Sequence, residues 1–408
     1  MDPLAFFSRD GGSTWSGADV LPDGVHFDLA PEVYFDQVAL GSTDLIKLWQ
    51  QREGFWWSSR WNPRYKRPKN PFQTYGSGAH AIILEGTDAY DERFVAAPDY
   101  DDLPGLFDTT QQAVAWLAKN GFKTTGRPYS DWRKDDWLTA VVDGEIDIPW
   151  KSAIARRFEL SVGDREIVSA ADDESIRFLR QVMLDPGRDD NADIRQLFAE
   201  GGDFPPMAEV SILHTMEDGV RRRWRIDRMF PKFDLDLKTL GNWTGRPLEF
   251  ETGEVIAKRG MDLQRADYKI GRQVAYEYVR AGRVYGGSLE QREWIRSWPD
   301  DFPTWDWKWL FYQKPDSVTG RAPVLFPIHD DDESVHEING RAKARNALQF
   351  FRAAVRRYGL TTPWARVAPQ HFLDEAYKPN PLVHLPHWIS TPDAPDDADA
   401  WDHRPEED

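Results

Sequence analysis

The 408-residue chain contains no cysteine, which removes disulfides, thiolate zinc sites, iron–sulfur clusters and cysteine nucleophiles together. Any metal must therefore be held by oxygen or imidazole. No run of about 18 apolar residues occurs, and the opening MDPLAFFSRDGGSTW has no basic segment followed by an apolar one. These absences predict a cytoplasmic protein with no membrane partner. Basic residues are in deficit, since 51 Lys and Arg stand against 68 Asp and Glu for a net charge of −17, and an acidic surface repels nucleic-acid phosphates. The deficit is uneven. Residues 391–408 (TPDAPDDADAWDHRPEED) carry eight acids and one arginine, which is −7 of the total. That composition predicts a disordered, solvated tail with no packed core.

Aromatic residues, by contrast, are plentiful. With 19 Trp, 22 Phe and 13 Tyr, the chain has ample apolar surface for a globular core. Its length suits roughly two to three units, or one large α/β domain with insertions. No repeat at solenoid periods is present.

Residues 42–52 (STDLIKLWQQR) start with a Ser-Thr cap and place Leu45, Leu48 and Trp49 at helical spacing. The segment 60–69 (RWNPRYKRPK) has five bases and no acid among aromatics and prolines, the composition of a solvated loop or of one that touches phosphates. YGSGAHAIILEG (75–86) reads as a glycine-rich turn entering a buried element, with His80 just inside it. A short helix is expected over 108–121, and further helices at about 171–184 and 191–200 lead to GGDFPP.

There the hydrophobic period changes from 3.6 to 2. AEVSILH (208–214), the turn MEDG and VRRRWRID (220–227) make a β-hairpin, and FDLDLKT (233–239) makes a third strand. Phe233, Leu235 and Leu237 fall on one face of that strand, and Asp234, Asp236 and Lys238 on the other. A helix follows at about 262–281, then strands at about 306–313 and 322–328 and a helix at about 335–358. The chain divides into a mostly helical region, 1–205, with an insertion near 108–165; a core at 206–360; and a C-terminal extension, 361–408, that ends in the acidic tail.

Asp236 and Lys238 project together from the third strand, and Asp227 ends its neighbour. Two carboxylates converging from adjacent strands, without Cys or paired His, describe a hard-cation site for Mg²⁺, with Mn²⁺ as a substitute. A lysine two residues after one ligand can orient an attacking water and stabilise charge on a phosphoryl oxygen. Taken alone, Asp236 and Lys238 read as an exposed charge pair on an ordinary amphipathic strand, and the acids on the neighbouring strands favour the cation site. Asp234 shares their face, but only Asp236 has the offset to Lys238. Glu209, on the first strand of the hairpin, can pair with Arg221, Arg223 or Arg225 across it. Gln273, Lys269, Tyr276 and Arg280 mark one face of the following helix, a solvated face or one that meets a phosphate backbone. RRRWR (221–225), the 60–69 loop and the acid-free helix RAKARNALQFFRAAVRR (341–357) are candidate DNA-contact surfaces.

In order and spacing the chain resembles the PD-(D/E)XK nuclease superfamily, and within it the RecE-like exonucleases of the exodeoxyribonuclease VIII type. The resemblance spans about 25–360. It is carried by DLAPEVYFDQVALGSTDLIKLW (28–49), G-S-G-A-H (76–80), A-E-V-S-I (208–212), W-R-I-D (224–227), L-D-L-K-T (235–239), Q-V-A-Y (273–276) and F-Y-Q-K-P … G-R-A-P (311–323). It implies a three-layer α/β/α restriction-endonuclease-like core with a mixed twisted sheet and N-terminal helical additions. Asp227 and Asp236 resemble the metal-binding acids, and Lys238 the lysine that activates water. Glu209 resembles the extra acid near the metal, His80 the histidine beside it, and Gln273 the helix glutamine that supports the site or touches DNA. The sequence departs from the pattern in having Ile226 where the superfamily name has Pro, and Tyr276 at i+3 from Gln273 where the usual Q-x-x-x-Y spacing is i+4.

The implied activity is Mg²⁺-dependent exodeoxyribonuclease action at double-stranded DNA ends, 5′→3′, in phage-type recombination. A single-strand annealing recombinase partner and a homo-oligomeric ring are implied with it. The alternatives are a structure- or site-specific endonuclease on the same fold and a non-catalytic DNA-binding or phage assembly protein.

Overall fold

The computed structural model describes residues 20–364, apart from 53, 66–70, 101–102, 124–127, 129–130, 199–206, 243–244, 299–305, 316–323, 331–333 and 361. The acidic tail, GGDFPP before the hairpin and parts of the 60–69 and 311–323 segments lie outside the described residues. Nine strands are described: β1 Gly24–His26, β2 Phe94–Ala96, β3 Glu166–Val168, β4 Ala208–Thr215, β5 Arg221–Met229, β6 Phe233–Leu240, β7 Val284–Tyr285, β8 Asp306–Gln313 and β9 Val324–Asp330. Seven form one sheet in the order β7-β1-β4-β5-β6-β8-β9, and β2 and β3 pair separately. The β4-β5-β6 meander is antiparallel, whereas β6 and β8 run parallel and are joined by a helical crossover. The sheet is therefore mixed.

Helices cover both faces, giving a three-layer α/β/α fold. On one face the central helix Met261–Arg280 packs on Val210, Ile212, Trp224 and Ile226. On the other, the helices Pro71–His80 and Ala170–Leu184 pack on Leu235, Leu237 and Leu310. The central helix is covered a second time, on its outer side, by Ser42–Gln50 and the C-terminal helix Val335–Tyr358 around Leu45, Leu263, Ala347 and Phe351. Residues 107–161 add three helices, Thr110–Lys119, Lys134–Asp143 and Lys151–Ser161, around a small core of their own that includes Leu117, Trp137, Val141 and Trp150. Among the described residues no helix is long and apolar enough to cross a membrane.

Two local expectations change. YGSGAHAIILEG is helical throughout rather than a turn, because Pro71–His80 continues into a π-helical turn, Ala81–Glu85, that stops at Gly86. Gly78 serves packing, since a Cβ there would lie 3.0 Å from Ile176 and 3.1 Å from Tyr90. The polar face of β6 is not solvated either. Asp234 and Asp236 are 0% and 1% exposed, because the central helix covers that side of the strand.

Double coverage explains the unusual interior of the central helix, where Asp262, Arg265, Asp267 and Arg272 are all buried. Each has an opposite charge supplied by a neighbouring element. Asp267 meets Arg222 of β5 at 2.5 Å and also accepts hydrogen bonds from Ser42 and from the Trp224 indole, at 2.8 and 3.0 Å. Arg272 meets Asp234 of β6 at 2.8 Å, while Arg265 pairs with Glu337 and Asp262 with Lys343 of the C-terminal helix. Gly271 lets the helix lie against Trp224, since a Cβ there would come within 2.6 Å of the indole. Removing one member of such a pair strands the other in the interior. Asp267→Ala is therefore expected to destabilise the fold by about 3–5 kcal/mol, read as a lower urea midpoint; an unchanged midpoint would remove the pairing from the account of this helix.

Candidate metal centre

The site is built where β4, β5 and β6 run side by side beneath the end of the Pro71–His80 helix. The β4–β5 register pairs Ala208 with Arg228 and Val210 with Ile226, which sets Glu209 opposite Asp227. Glu209 has φ 53, in the left-handed region that non-glycine residues rarely occupy. That single residue reverses the faces of β4. Val210 and Ile212 pack beneath the central helix, while Ala208, of the same parity, packs on the opposite side of the sheet. Such a reversal re-aims side chains, and strained backbone of this kind concentrates at functional sites.

Leu237 of β6 ties two further groups together through its main chain. Its N–H donates to Asp227 Oδ2 at 2.8 Å, and its carbonyl accepts from His80 Nε2 at 2.9 Å. A carbonyl only accepts, so Nε2 carries a hydrogen, and Nδ1 is the nitrogen turned toward the acids. Nδ1 lies 3.7 Å from Asp227 Oδ2 and 3.8 Å from Glu209 Oε1. One ligand-capable atom from each of His80, Glu209 and Asp227 falls within 4.8 Å of the others. Arg225 holds Glu209 Oε2 and anchors itself on the Leu29 carbonyl at 3.1 Å. Glu209 therefore pairs with Arg225 across the hairpin through one oxygen, while the other faces His80.

Asp236 stands beside this trio. Its Oδ1 accepts from Lys238 Nζ at 2.7 Å and from Gln264 Nε2 at 3.2 Å. Its Oδ2 is buried and has no hydrogen-bond partner among the described residues, a costly state for a carboxylate oxygen unless a cation or water meets it. The charges are mutually strained. Burial drives the Asp227 carboxyl up to about 7, with Asp236 and Glu209 adding repulsion that His80 and Lys238 only partly offset. Burial also opposes the charged forms of the other three groups, yet their neighbours win. Asp227 and Glu209 hold the His80 imidazolium up to about 9, His80 and Arg225 hold Glu209 down to about 2, and Asp236 with Asp227 raises Lys238 above its ordinary value. His80, Glu209 and Asp227 together form a group that could hold a metal ion, with the orphaned Asp236 oxygen nearby.

Not every expected residue joins the site. Gln273 is exposed, and nine residues from Gln264 put it roughly 180° around and about 13 Å along the helix. Gln264 takes its place. Residues 264–268 read Q-R-A-D-Y, which supplies the i+4 spacing that Gln273 and Tyr276 lack, and Tyr268 donates to the Arg225 carbonyl at 2.7 Å. That spacing was the available signal. Asp234 is committed to Arg272. The RRRWR stretch is no phosphate surface: Arg222 is bound to Asp267, Arg223 donates to the carbonyls of Tyr34, Phe35 and Gln37, and Arg225 holds Glu209. On the C-terminal helix Lys343 is buried against Asp262, Arg352 pairs with Asp218 and the exposed Arg341 with Glu337, and Arg345, Arg356 and Arg357 are exposed as well.

Calorimetric titration with Mn²⁺ is expected to show binding that Asp227→Asn and Glu209→Gln each weaken about tenfold or more, while Gln273→Ala leaves it unchanged. Equal affinity in all four proteins would refute the assignment. No family model matches the chain, and no curated protein sequence matches it.

Proposed function

We propose that the chain is a divalent-cation-dependent deoxyribonuclease that hydrolyses phosphodiester bonds at duplex DNA ends. The observation that carries this reading is the convergence of His80, Glu209 and Asp227 beside an Asp236–Lys238 pair whose acid keeps one buried oxygen without a partner among the described residues. His80 Nδ1, Glu209 Oε1, Asp227 and Asp236 Oδ2 are the groups that would hold the cation. A bound Mg²⁺ or Mn²⁺ would supply charge neutralisation and polarisation of a phosphoryl oxygen.

The protein's own part follows from what each side chain can donate. Lys238 remains an ammonium beside Asp236, so it offers hydrogen bonds and positive charge and does not accept a proton. It is suited to hold a water oxygen for attack on phosphorus and to stabilise negative charge as the bond to the leaving sugar oxygen breaks. Gln264 holds Asp236 from the helix side, and Arg225 holds Glu209 from the strand side, so both acids meet the reacting groups in one orientation. Preference for ends over internal sites, 5′→3′ polarity, an annealing recombinase partner and a ring-shaped oligomer are supported by the resemblance to RecE-like exonucleases alone.

Linear duplex labelled at either 5′ or 3′ end is the direct test. Label release should require Mg²⁺ or Mn²⁺, stop with chelator, and fall about 10²–10³-fold in Lys238→Ala and Asp236→Ala. Release that ignores these substitutions, or no release of either label, would refute the proposal, and cutting of covalently closed circles would replace the exonuclease with an endonuclease.

A further inference from the structure

Of the three basic stretches in the sequence, one keeps unanswered charge on its surface. RRRWR is spent inside the fold, and the 60–69 segment lies partly outside the described residues. The C-terminal helix Val335–Tyr358 buries Ala347, Phe351 and Ala354 against its neighbours and turns its opposite face outward. Residues 341–357 hold six bases and no acid, in a chain of net charge −17. The acids that meet these bases are already committed: Asp262 to Lys343, Glu337 to Arg265 and Arg341, and Asp218 to Arg352. Arg345 and Arg356 are exposed and make no hydrogen bond or ion pair among the described residues. Eleven residues separate them, which is about three helical turns, so both project from one face about 16 Å apart along the axis. Arg341, Gln349 and Arg352 fall on the same stripe by their three- and four-residue spacings. Like charges four apart on a helix repel, and Arg341 with Arg345 and Arg352 with Arg356 are such pairs. A stripe that gathers one sign against that repulsion suits a partner of the other sign.

We propose that this outer stripe of the C-terminal helix binds the phosphate backbone of duplex DNA, with Arg345 and Arg356 as the contacts that hold it. A single small anion cannot bridge two guanidinium groups about 16 Å apart. Phosphates recur about every 3.4 Å along each strand of a duplex, so one duplex meets both. Guanidinium groups pair with phosphate in forked hydrogen bonds. The stripe is a convex rod of arginine and amide, which suits contact with the backbone rather than with base edges. None of its residues belongs to the metal centre. That the bound duplex is the one cut at the metal centre rests on the proposed nuclease activity; the binding itself does not.

The full-length protein is titrated in chelator, where no cleavage occurs, against a fluorescently labelled blunt duplex over a range of salt concentrations. The duplex should bind, with log affinity falling linearly against log salt. Arg345→Ala combined with Arg356→Ala should weaken binding about tenfold or more at low salt and reduce the salt slope by about 1 for each arginine removed, without lowering the thermal midpoint. Lys119→Ala combined with Lys134→Ala removes two exposed charges from the helices of residues 107–161 and should change neither affinity nor slope. Poly-L-glutamate should compete only weakly. No duplex binding, unchanged affinity and slope in the arginine variant, an equal loss in the lysine variant, or polyglutamate binding as tight as duplex binding would overturn the proposal. Because the titration contains no divalent cation, the two readings fail separately: a protein that binds duplex through these arginines but releases no label with Mg²⁺ loses the nuclease and keeps the stripe.

Discussion

Asp267 is a carboxylate with no exposed surface, in the middle of a helix covered on both sides. A buried charge without compensation costs several kcal/mol, so the elements around it are placed to supply Arg222, Ser42 and the Trp224 indole. Two of these come from β5 and one from the Ser42–Gln50 helix, and together they set both the height and the rotation of the central helix. Gln264 lies three residues before Asp267 and Tyr268 one after it. The geometry that satisfies Asp267 is thus also the geometry that carries Gln264 to Asp236 and Tyr268 to the Arg225 carbonyl. Arg272 with Asp234 adds a second fixed point further along the same helix.

The candidate metal centre has the opposite character. Around Asp267 every charge is answered, whereas at Asp227 the cost of burial, with repulsion from Asp236 and Glu209, is only partly offset by His80 and Lys238, and one oxygen of Asp236 has no partner among the described residues. The left-handed backbone of Glu209 adds local strain at the same place. A folded chain tolerates such a concentration of cost where a ligand relieves it. The overall charge of −17 says little about this. Several of the acids lie in the site, and three of the most densely clustered arginines are structural, so total charge describes neither the centre nor the surfaces left for a phosphate partner.

Much of the architecture was legible in period and punctuation. The hairpin, the D-x-K strand, the long helix after it and the terminal basic helix stand within a few residues of where alternation and helical spacing put them, because a half-buried strand and a one-sided helix write their faces into the sequence. The glycines of 75–86 misled because a glycine chosen for close helix packing and a glycine chosen for a turn look alike in one dimension. Gln273 misled for a related reason. A helix buried on two sides shows no single polar stripe, so the face that meets the candidate site could not be told from its surface, although the Q-R-A-D-Y spacing of Gln264 and Tyr268 was there to be read.

The sequence by itself determined which chemistry was available. With no cysteine, any metal has to be held by oxygen or imidazole, and Asp236 and Lys238 had to share a face because side chains two apart on a strand do so. Only the tertiary structure decided which of many acids and bases meet. Asp234 and Asp236 share one face of the strand by pattern, yet one is neutralised by Arg272 and the other keeps an oxygen without a partner among the described residues. His80 reaches Asp227 across a separation of well over a hundred residues because one residue, Leu237, bonds both. Pairing across the chain depends on where the central helix and the left-handed turn at Glu209 place their neighbours, and neither leaves a periodic trace.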